Sequence, residues 1–448
     1  MLQIISGKFF DPSSARHSFP ASGILYSNLS RFDSIQTSVA TLEPVYGPGS
    51  GICAYVVRYV NQIEKQSDTP RAGELVRVGD DEILSQFELF CIAGLYGWFA
   101  SDRLQVELQC RTETRDSRDQ YAPSHFLPNF FKLNRYITEV DARAFIDLIN
   151  KAITLKRDTY NAIISYLGGL RNALQAINYN IDLAYSMIVY CLESLGQEFQ
   201  PYTAVWQDYD PSTRHRIEQA LQPVATTIAN DIKAALLDQK QFKLTKRFVD
   251  FVESHIEQRF FEEDAEGAER PIRKSELRRA LANAYQLRSS YVHALKPIHE
   301  HLRLPKLASH EVLIWEKEPY LSFAGLFRVA IHVLRSFIWR QPIADQEKID
   351  WRSSLPGIVK FEVAPQYWIW RPENLTSKTA TSVYSGFLHH ITETLTKREP
   401  VTDMTGSLAP NARSGSSRRP AAFRLDQVLR HELLSGLEVV HAAKGPGN

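Results

Sequence analysis

The chain contains 448 residues, of which 44% are hydrophobic and 23% are charged. This composition is typical of a globular protein with two or three domains, and it excludes a fibre or a disordered tail. Because 52 Lys and Arg residues face 51 Asp and Glu residues, it also excludes a surface that is cationic over the whole molecule and binds nucleic acid through bulk charge.

The first 130 residues show the patterns of extended chain. Apolar and polar residues alternate from Leu104 to Arg111, which is the period of a half-buried strand. Ser38–Leu42 and Ile52–Val60 are rich in β-branched and aromatic residues, and the turn-forming sequence Gly47–Gly51 separates them. We therefore predict a mainly-β domain over residues 1–130.

The cysteines and the longest apolar run indicate the compartment. Four cysteines lie far apart without a Cys-x-x-Cys pair, which argues against a zinc ribbon and a disulfide scaffold. The apolar run Phe90–Ala100 has about half the length of a membrane helix, and the N-terminus lacks the long apolar region of a signal peptide. We therefore expect a cytoplasmic protein without a membrane partner.

Residues 138–341 show the 3.6-residue apolar period of helices. The predicted helices are one capped by Thr138, the long stretch Ala162–Leu195, one that starts at Asp210 and Pro211, Phe248–Ile256, one capped by Ser275, and Leu321–Ile338. Several long helices with short connections predict an antiparallel bundle. The fold class is therefore α+β, with an N-terminal mainly-β domain followed by the bundle.

The remaining residues divide into three predicted pieces. Residues 342–400 have an extended signature around Tyr367–Trp370, and we expect this piece to pack on the bundle. Residues 401–424 are rich in Ser, Gly, Pro and Arg and are predicted to be a flexible linker. Residues 425–448 are predicted to form a short C-terminal helix and tail.

Common enzymatic motifs are absent from the sequence. It contains no P-loop, no Gly-x-Ser-x-Gly elbow after a strand and no His-Glu-x-x-His motif. His299 and His301 resemble metal ligands, but residues two apart on a helix point about 200° apart. We therefore predict neither a metal site nor a cofactor.

Two segments of the helical region carry a family resemblance. In Ala284–His293, Arg288 and His293 are separated by four residues, with Tyr285 before them and Ser289 directly after the arginine. This segment resembles the Arg-x4-6-His motif of HEPN domains, particularly the Apea-like branch. The segment Val189–Leu195 is similar to the Leu-Glu-x-Leu end of that branch's long early helix. The likeness covers roughly residues 138–341.

The resemblance implies a metal-independent endoribonuclease. Many HEPN proteins cleave RNA by attack of a ribose 2′-hydroxyl on the adjacent phosphate, so the protein supplies no nucleophile. His293 would then act as general base or acid, because imidazole titrates near neutral pH. Arg288 would hold the phosphate. Glu193, Ser289 and Tyr285 are the expected supporting residues, although Glu193 has an alternative role as an ordinary helix-end acid, and Tyr285 as a packing residue.

The resemblance also implies a setting and partners. Proteins of this branch are frequently antiviral-defence or toxin-like effectors that arrest growth, as in abortive infection. The N-terminal domain would then act as a sensor or regulatory domain that responds to a phage-derived or partner-protein trigger. Because five helical positions rotate a side chain by about 140° and advance it by about 7.5 Å, Arg288 and His293 of one copy do not share a face. We expect a homodimer through the bundle, as in the family, with the paired motifs at its interface.

Local charge supports an RNA substrate. Residues 271–303 contain seven Lys or Arg and two Glu, a net charge of +5. A short track of this kind suits phosphate contacts. The alternative interpretation is a non-catalytic HEPN module that dimerises and binds RNA or protein within a defence complex.

Overall fold

The computed structural model describes residues 1–14, 16–45, 51–64, 79–111, 122–200, 205–237, 244–304 and 309–344, together with 347, 349, 395 and 396. Residues 1–65 and 77–354 form one compact unit, and 66–76 with 355–448 form a second. The predicted linker at 401–424 and the predicted helix at 425–448 lie outside the described residues, as does most of the predicted extended piece at 342–400. The architecture below is that of the first unit.

The strands of this unit form one principal sheet. They are β1 (Arg16–Ser27), β2 (Leu29–Ser30), β3 (Ile35–Gln36), β4 (Ala40–Val45), β5 (Cys53–Glu64), β6 (Phe99–Ala100), β7 (Arg135–Tyr136), β8 (Val312–Trp315) and β9 (Glu318–Leu321). Five of them make an antiparallel sheet in the order β3-β4-β5-β1-β6. The long β1–β5 ribbon runs in register from Arg16 opposite Glu64 to Ser27 opposite Cys53. Strand β5 confirms the predicted strand at Ile52–Val60.

Helices supply most of the remaining regular structure. They are α1 (Leu2–Ile5), α2 (Asp80–Gly94), α3 (Arg103–Cys110), α4 (Pro123–Phe126), α5 (Pro128–Phe131), α6 (Glu139–Ile153), α7 (Arg157–Ala176), α8 (Ile181–Phe199), α9 (Pro211–Leu221), α10 (Thr226–Leu237), α11 (Leu244–Ser254), α12 (Lys274–Ala294) and α13 (Phe323–Arg340). Helix α8 lies at the centre of the helical part and contacts α7, α11, α12 and α13. Strands therefore come first and helices follow, as the sequence predicts.

The strand predicted at Leu104–Arg111 is wrong, because this segment is helix α3. The Asp102 carboxylate accepts a hydrogen bond from the backbone N–H of Leu104 at 2.9 Å and so caps a helix. Val106 and Cys110 lie four residues apart and are both buried, whereas Leu104 is exposed. This short sequence fits the strand period and the helix period equally well, and its packing in the fold favours the helix. With α2 also present, the first 130 residues combine a sheet with helices.

Helix boundaries follow local capping residues. The predicted caps at Thr138 and Asp210 are confirmed, since each side chain accepts a hydrogen bond from a backbone N–H of the first turn. The stretch predicted from Ala162 to Leu195 is two helices, and Asn180 caps the second by accepting from the Leu183 N–H at 3.0 Å. The predicted cap at Ser275 is wrong, because α12 already begins at Lys274.

The sheet and the helices share buried contacts. Helix α2 packs against β1 on one side and against α6 and α7 on the other. Its residues Phe87 and Phe90 are fully buried, and they contact Phe145 of α6 and Tyr160 of α7. The division predicted near residue 130 stays a prediction, although both sides of it lie in one compact unit.

An acidic segment at residues 262–269 precedes α12, and it is attached to α13. Arg328 pairs with the buried Glu311, with 2.6 Å between Nη2 and Oε2, and donates to the Phe260 carbonyl at 2.8 Å. His332 Nδ1 lies 3.0 Å from Asp264 Oδ2, and this hydrogen bond lowers the pKa of the Asp264 carboxyl. Part of the segment's acidity is therefore used inside the fold.

Within the described ranges, no helix combines the length and the apolar character needed to cross a bilayer.

The capping box of α6 gives a test of the fold. Thr138 accepts from the Asp141 N–H at 3.2 Å, and the Asp141 carboxylate accepts in return from the Thr138 N–H at 3.0 Å. We expect Thr138→Ala to lower the free energy of unfolding by about 1 kcal/mol, measured by urea denaturation, since one helix N–H loses its acceptor. Thr138→Ser keeps the hydroxyl and should remain close to the parent protein. An unchanged Thr138→Ala variant would contradict the assignment.

Candidate functional site

The two segments that carry the family resemblance lie on α8 and α12, and they meet where these helices pack together. These helices are antiparallel, because Asn180 at the start of α8 hydrogen-bonds Tyr291 near the end of α12, whereas Glu193 contacts Tyr285. The inner face of α12 consists of apolar residues spaced three and four apart and ends with Tyr285. This packing brings Arg288 onto α8.

Glu193 is the centre of the resulting cluster. Its side chain is about 5% exposed, so its charge requires partners inside the protein. The Tyr285 hydroxyl donates to Oε1 at 2.9 Å, and Gln197 Nε2 donates to the same oxygen at 3.1 Å. Arg288 Nη2 lies 2.7 Å from Oε2. Glu193 therefore links Arg288 and Tyr285 of α12 to α8, and its supporting role in a reaction stays a prediction.

The ion pair leaves part of Arg288 uncommitted. Although Nη2 and Oε2 are at ion-pair distance, they are not aligned as a hydrogen bond, and Nε of Arg288 finds no partner among the described residues. The guanidinium carbon lies 5.7 Å from the ring centre of Tyr285 and 5.8 Å from that of Tyr190. Two aromatic rings and one carboxylate thus hold the guanidinium in place.

Tyr285 is a stable hydrogen-bond donor in this cluster. Burial, and then the hydrogen bond to the Glu193 carboxylate, raise the pKa of Tyr285 to about 12. The folded-state pKa of Tyr285 lies above the ordinary value of 10. The stabilisation that its protonated hydroxyl provides is therefore complete below pH 10 and is lost as the pH rises towards 12. The hydroxyl is therefore protonated at neutral pH and donates to Glu193.

His293 lies apart from the cluster, on the last turn of α12. Its side chain is exposed, and no ion pair or ring contact links it to another described residue. Ser289 is half-buried beside Arg288. The helix ends where Leu295 adopts a left-handed conformation with φ of 50°. The structure thus joins Glu193, Tyr285 and Arg288, and leaves His293 open to solvent about one and a half turns further on.

An exposed apolar patch surrounds these residues, and the sequence analysis missed it. We define it as Leu183 and Tyr190 of α8 with Val292 and Leu295 at the end of α12, which are 42%, 61%, 53% and 75% exposed. Leu183 and Tyr190 are seven residues apart and share one face of α8, whereas Leu295 directly follows the last residue of α12. The spacing of apolar residues does not show which face of a helix is buried, so the sequence alone could not identify these residues as exposed.

The histidines that resemble metal ligands have other neighbours. The rings of His299 and Tyr320 are 4.7 Å apart, and those of His301 and Trp315 are 4.2 Å apart. Across the described residues, no three His, Cys, Asp or Glu side chains form a group that could hold a metal ion. Both histidines belong to a contact with the β8–β9 hairpin.

The predicted net charge of residues 271–303 is largely compensated by acids from other segments. Arg278 pairs with Asp250 at 2.7 Å, Arg279 with Glu318, and Arg303 lies 3.8 Å from Asp182. With Arg288 on Glu193, four of the seven basic residues have an acidic partner. Arg273, Lys274 and Lys296 are exposed. Fewer basic residues are therefore unpaired than the sequence count indicates, and the phosphate track stays a prediction.

Comparison with known proteins adds no relative. No protein-family model matches the chain, and neither a curated protein nor a solved structure matches it. The likeness to HEPN domains rests on the segments around Glu193, Arg288 and His293, and it stays a prediction.

The Glu193–Arg288 pair gives a stability test. Arg288→Met leaves a buried carboxylate without its cation, and we expect the free energy of unfolding at pH 7 to fall by about 2–4 kcal/mol. The double variant Arg288→Met/Glu193→Gln should recover most of this loss, since the amide oxygen still accepts from Tyr285.

Urea denaturation measures all three proteins, with Arg216→Met on the exposed face of α9 as the matched control. Equal losses in Arg288→Met and in the control would show that the pair contributes little.

Proposed function

We propose that this protein is a metal-independent endoribonuclease of the HEPN type. One observation carries the proposal: the buried Glu193 joins the two segments that resemble HEPN motifs by holding Arg288, while His293 stays exposed about one and a half turns further along α12. A fixed arginine and a solvent-open histidine on one helix supply the two groups that phosphate chemistry needs.

The reaction that fits these residues is transesterification within RNA. His293 accepts the proton of a ribose 2′-hydroxyl, whose oxygen attacks the adjacent phosphorus. The bond between phosphorus and the 5′-oxygen breaks, and an imidazolium returns a proton to that oxygen. The products are a 2′,3′-cyclic phosphate and a 5′-hydroxyl, so the step needs neither water nor metal. General acid and base catalysis of this kind contributes about 10²–10⁴-fold.

Arg288 stabilises the charge that develops on the phosphate oxygens. Glu193 and the rings of Tyr190 and Tyr285 position its guanidinium, so little reorganisation is needed when the substrate binds. Glu193 is thus a positioning residue that acts through Arg288. Ser289, half-buried beside the arginine, is a second candidate for that role.

A second copy of the chain completes the site in this proposal. The apolar patch of Leu183, Tyr190, Val292 and Leu295 flanks Arg288 and His293, and an exposed apolar patch is typical of an interaction surface. Two-fold pairing through the Val292 and Leu295 end of this patch would bring two histidines together, one as base and one as acid. The partners proposed are therefore RNA and a second copy of the bundle.

The setting proposed is that of an antiviral-defence or toxin-like effector whose N-terminal part receives the trigger. Exposed apolar residues on the outer face of the sheet support a protein contact there, namely Ile24, Val45 and Val60. A phage protein or a partner protein is the expected ligand.

A non-catalytic module is the second candidate. The observation that favours it is the commitment of Arg288 to Glu193, since the arginine side chain is only 13% exposed. In that case the bundle dimerises and binds RNA or protein without cleavage, and Arg288 serves the fold alone.

Cleavage assays separate the two candidates. We expect the purified full chain to cleave single-stranded RNA in EDTA and to leave cyclic phosphate ends. His293→Ala should lower the rate by at least about 10²-fold, because the general base is lost. Arg288→Lys, which keeps the charge but loses the planar fork, should also be impaired.

His215→Ala, at an exposed position of α9, is the matched control and should cleave at the parental rate. RNA that is bound but intact at every pH tested would favour the non-catalytic module. Equal cleavage by His293→Ala and the parent would refute the assignment of the base.

The oligomeric state of the protein tests the proposed pairing with a second copy. We expect a dimer in sedimentation equilibrium, and Val292→Gln/Leu295→Gln should weaken it at least about tenfold, because two apolar side chains per copy lose a dry contact. Val140→Gln, which replaces an apolar residue that is 78% exposed on α6, is the control. A parent protein that is monomeric at all concentrations would refute the two-fold site.

A further inference from the structure

A cleft of about 510 Å³ lies between α7 and α8. One face of each helix lines it, because the polar lining residues recur three or four positions apart: Asp158, Asn161 and Ser165 on α7, and Tyr190, Ser194 and Glu198 on α8. The volume lies within the range of small-molecule sites and suffices for a nucleobase with its ribose. Apart from Tyr190, whose ring also lies beside Arg288, the residues that line this cleft have no role in the proposed reaction.

One end of the cleft adjoins the proposed phosphate site. Tyr190 belongs both to the cleft wall and to the surroundings of Arg288, whose guanidinium carbon lies 5.8 Å from the ring centre. At the same level, a Cβ on Gly169 would lie 2.4 Å from Cys191 Sγ, so the helices approach closely only because position 169 is glycine. A nucleotide with its phosphate at Arg288 therefore meets the cleft with its base.

The chemistry of the cleft wall selects for hydrogen-bond donors. Asp158 and Glu198 are exposed carboxylates, and no Lys or Arg lines the cleft. A carboxylate repels phosphate and accepts hydrogen bonds from amino and ring N–H groups. Among RNA bases, guanine presents two such donors side by side on its Watson–Crick edge, which match the two oxygens of one carboxylate.

The dimensions suit a stacked base. Tyr190, Ser194 and Glu198 lie on successive turns of α8, so Tyr190 and Glu198 are about 12 Å apart along the axis. The ring of Tyr190 is 61% exposed, as a stacking platform must be.

We infer that the α7–α8 cleft is a base-recognition subsite for an unpaired guanine, which stacks on Tyr190 and donates its Watson–Crick edge to Glu198 or Asp158. This inference rests on the proposed function for its RNA ligand. It assigns the cleft to base selection, whereas Arg288 and His293 act on the phosphate and the 2′-hydroxyl.

Binding of uncleavable RNA tests the subsite separately from catalysis. The probes are fluorescein-labelled 2′-O-methyl hexamers, A6 and the same hexamer with a single central G, titrated with the full chain. We expect the guanine-containing hexamer to bind at least about tenfold more tightly, as for one good bidentate contact. Asp158→Asn/Glu198→Gln and Tyr190→Ala should each abolish the preference. Asp147→Asn, an exposed acid of α6, should retain it.

The outcomes distinguish the subsite from the proposed reaction. Guanine preference that is lost in the cleft variants, in a protein that cleaves no RNA, supports the subsite and refutes the nuclease. Cleavage with the same base preference in parent and cleft variants refutes the subsite alone. Equal binding of both hexamers by the parent would also overturn the inference. So would hexalysine, used as a cationic probe, if the parent binds it more tightly than either hexamer and the Asp158→Asn/Glu198→Gln variant does not.

Discussion

The buried carboxylate of Glu193 constrains how α12 packs on α8. An unpaired charge at that depth would cost several kcal/mol, so the fold must supply partners to the carboxylate. Tyr285 donates a hydrogen bond to Oε1 and the Arg288 guanidinium forms an ion pair with Oε2, both from one face of α12, because the two residues are three apart. Their contacts fix the rotation of α12 on α8 and thereby determine that Val292 and His293 face solvent.

Small residues allow α8 to occupy the centre of the bundle. Gly169 on α7 makes room for Cys191, and Gly196 on α8 faces Phe251 of α11, whose ring lies 3.0 Å from the position a Cβ would take. At the opposite end of α8, Asp182 accepts from the Ile298 N–H at 3.1 Å and secures the chain after α12. Close approach at one end and a hydrogen bond at the other thus fix the position of α8 among its neighbours.

Local signals in the sequence predicted local structure. Thr138 and Asp210 cap helices because an N-cap depends on only four consecutive residues. The alternation at Leu104–Arg111 led to a wrong prediction, because eight residues can fit both the strand period and the helix period. Burial of Val106 and Cys110 decides for the helix, and the residues that bury them come from elsewhere in the fold.

Long-range pairing was beyond the sequence. The count of +5 over residues 271–303 overestimated the free charge, because Glu193, Glu318 and Asp182 come from distant positions in the chain. Likewise, spacing alone relates Arg288 to His293 but not to Glu193, which lies 95 residues earlier. Only the family resemblance put Glu193 and Arg288 in one candidate site, and the structure brings them together.

The paired charges also bear on how such a surface would hold RNA. Each phosphate contact on single-stranded nucleic acid adds about 0.7 to the slope of binding against salt, so the few exposed cations beside α12 imply a shallow dependence. Affinity would then come from contacts that salt does not screen, such as stacking on Tyr190 and hydrogen bonds to base edges. A second copy would double the phosphate contacts without changing this balance. Weak salt dependence combined with base preference is therefore the signature expected from this arrangement, in contrast to bulk cationic binding, which the composition of the chain excludes.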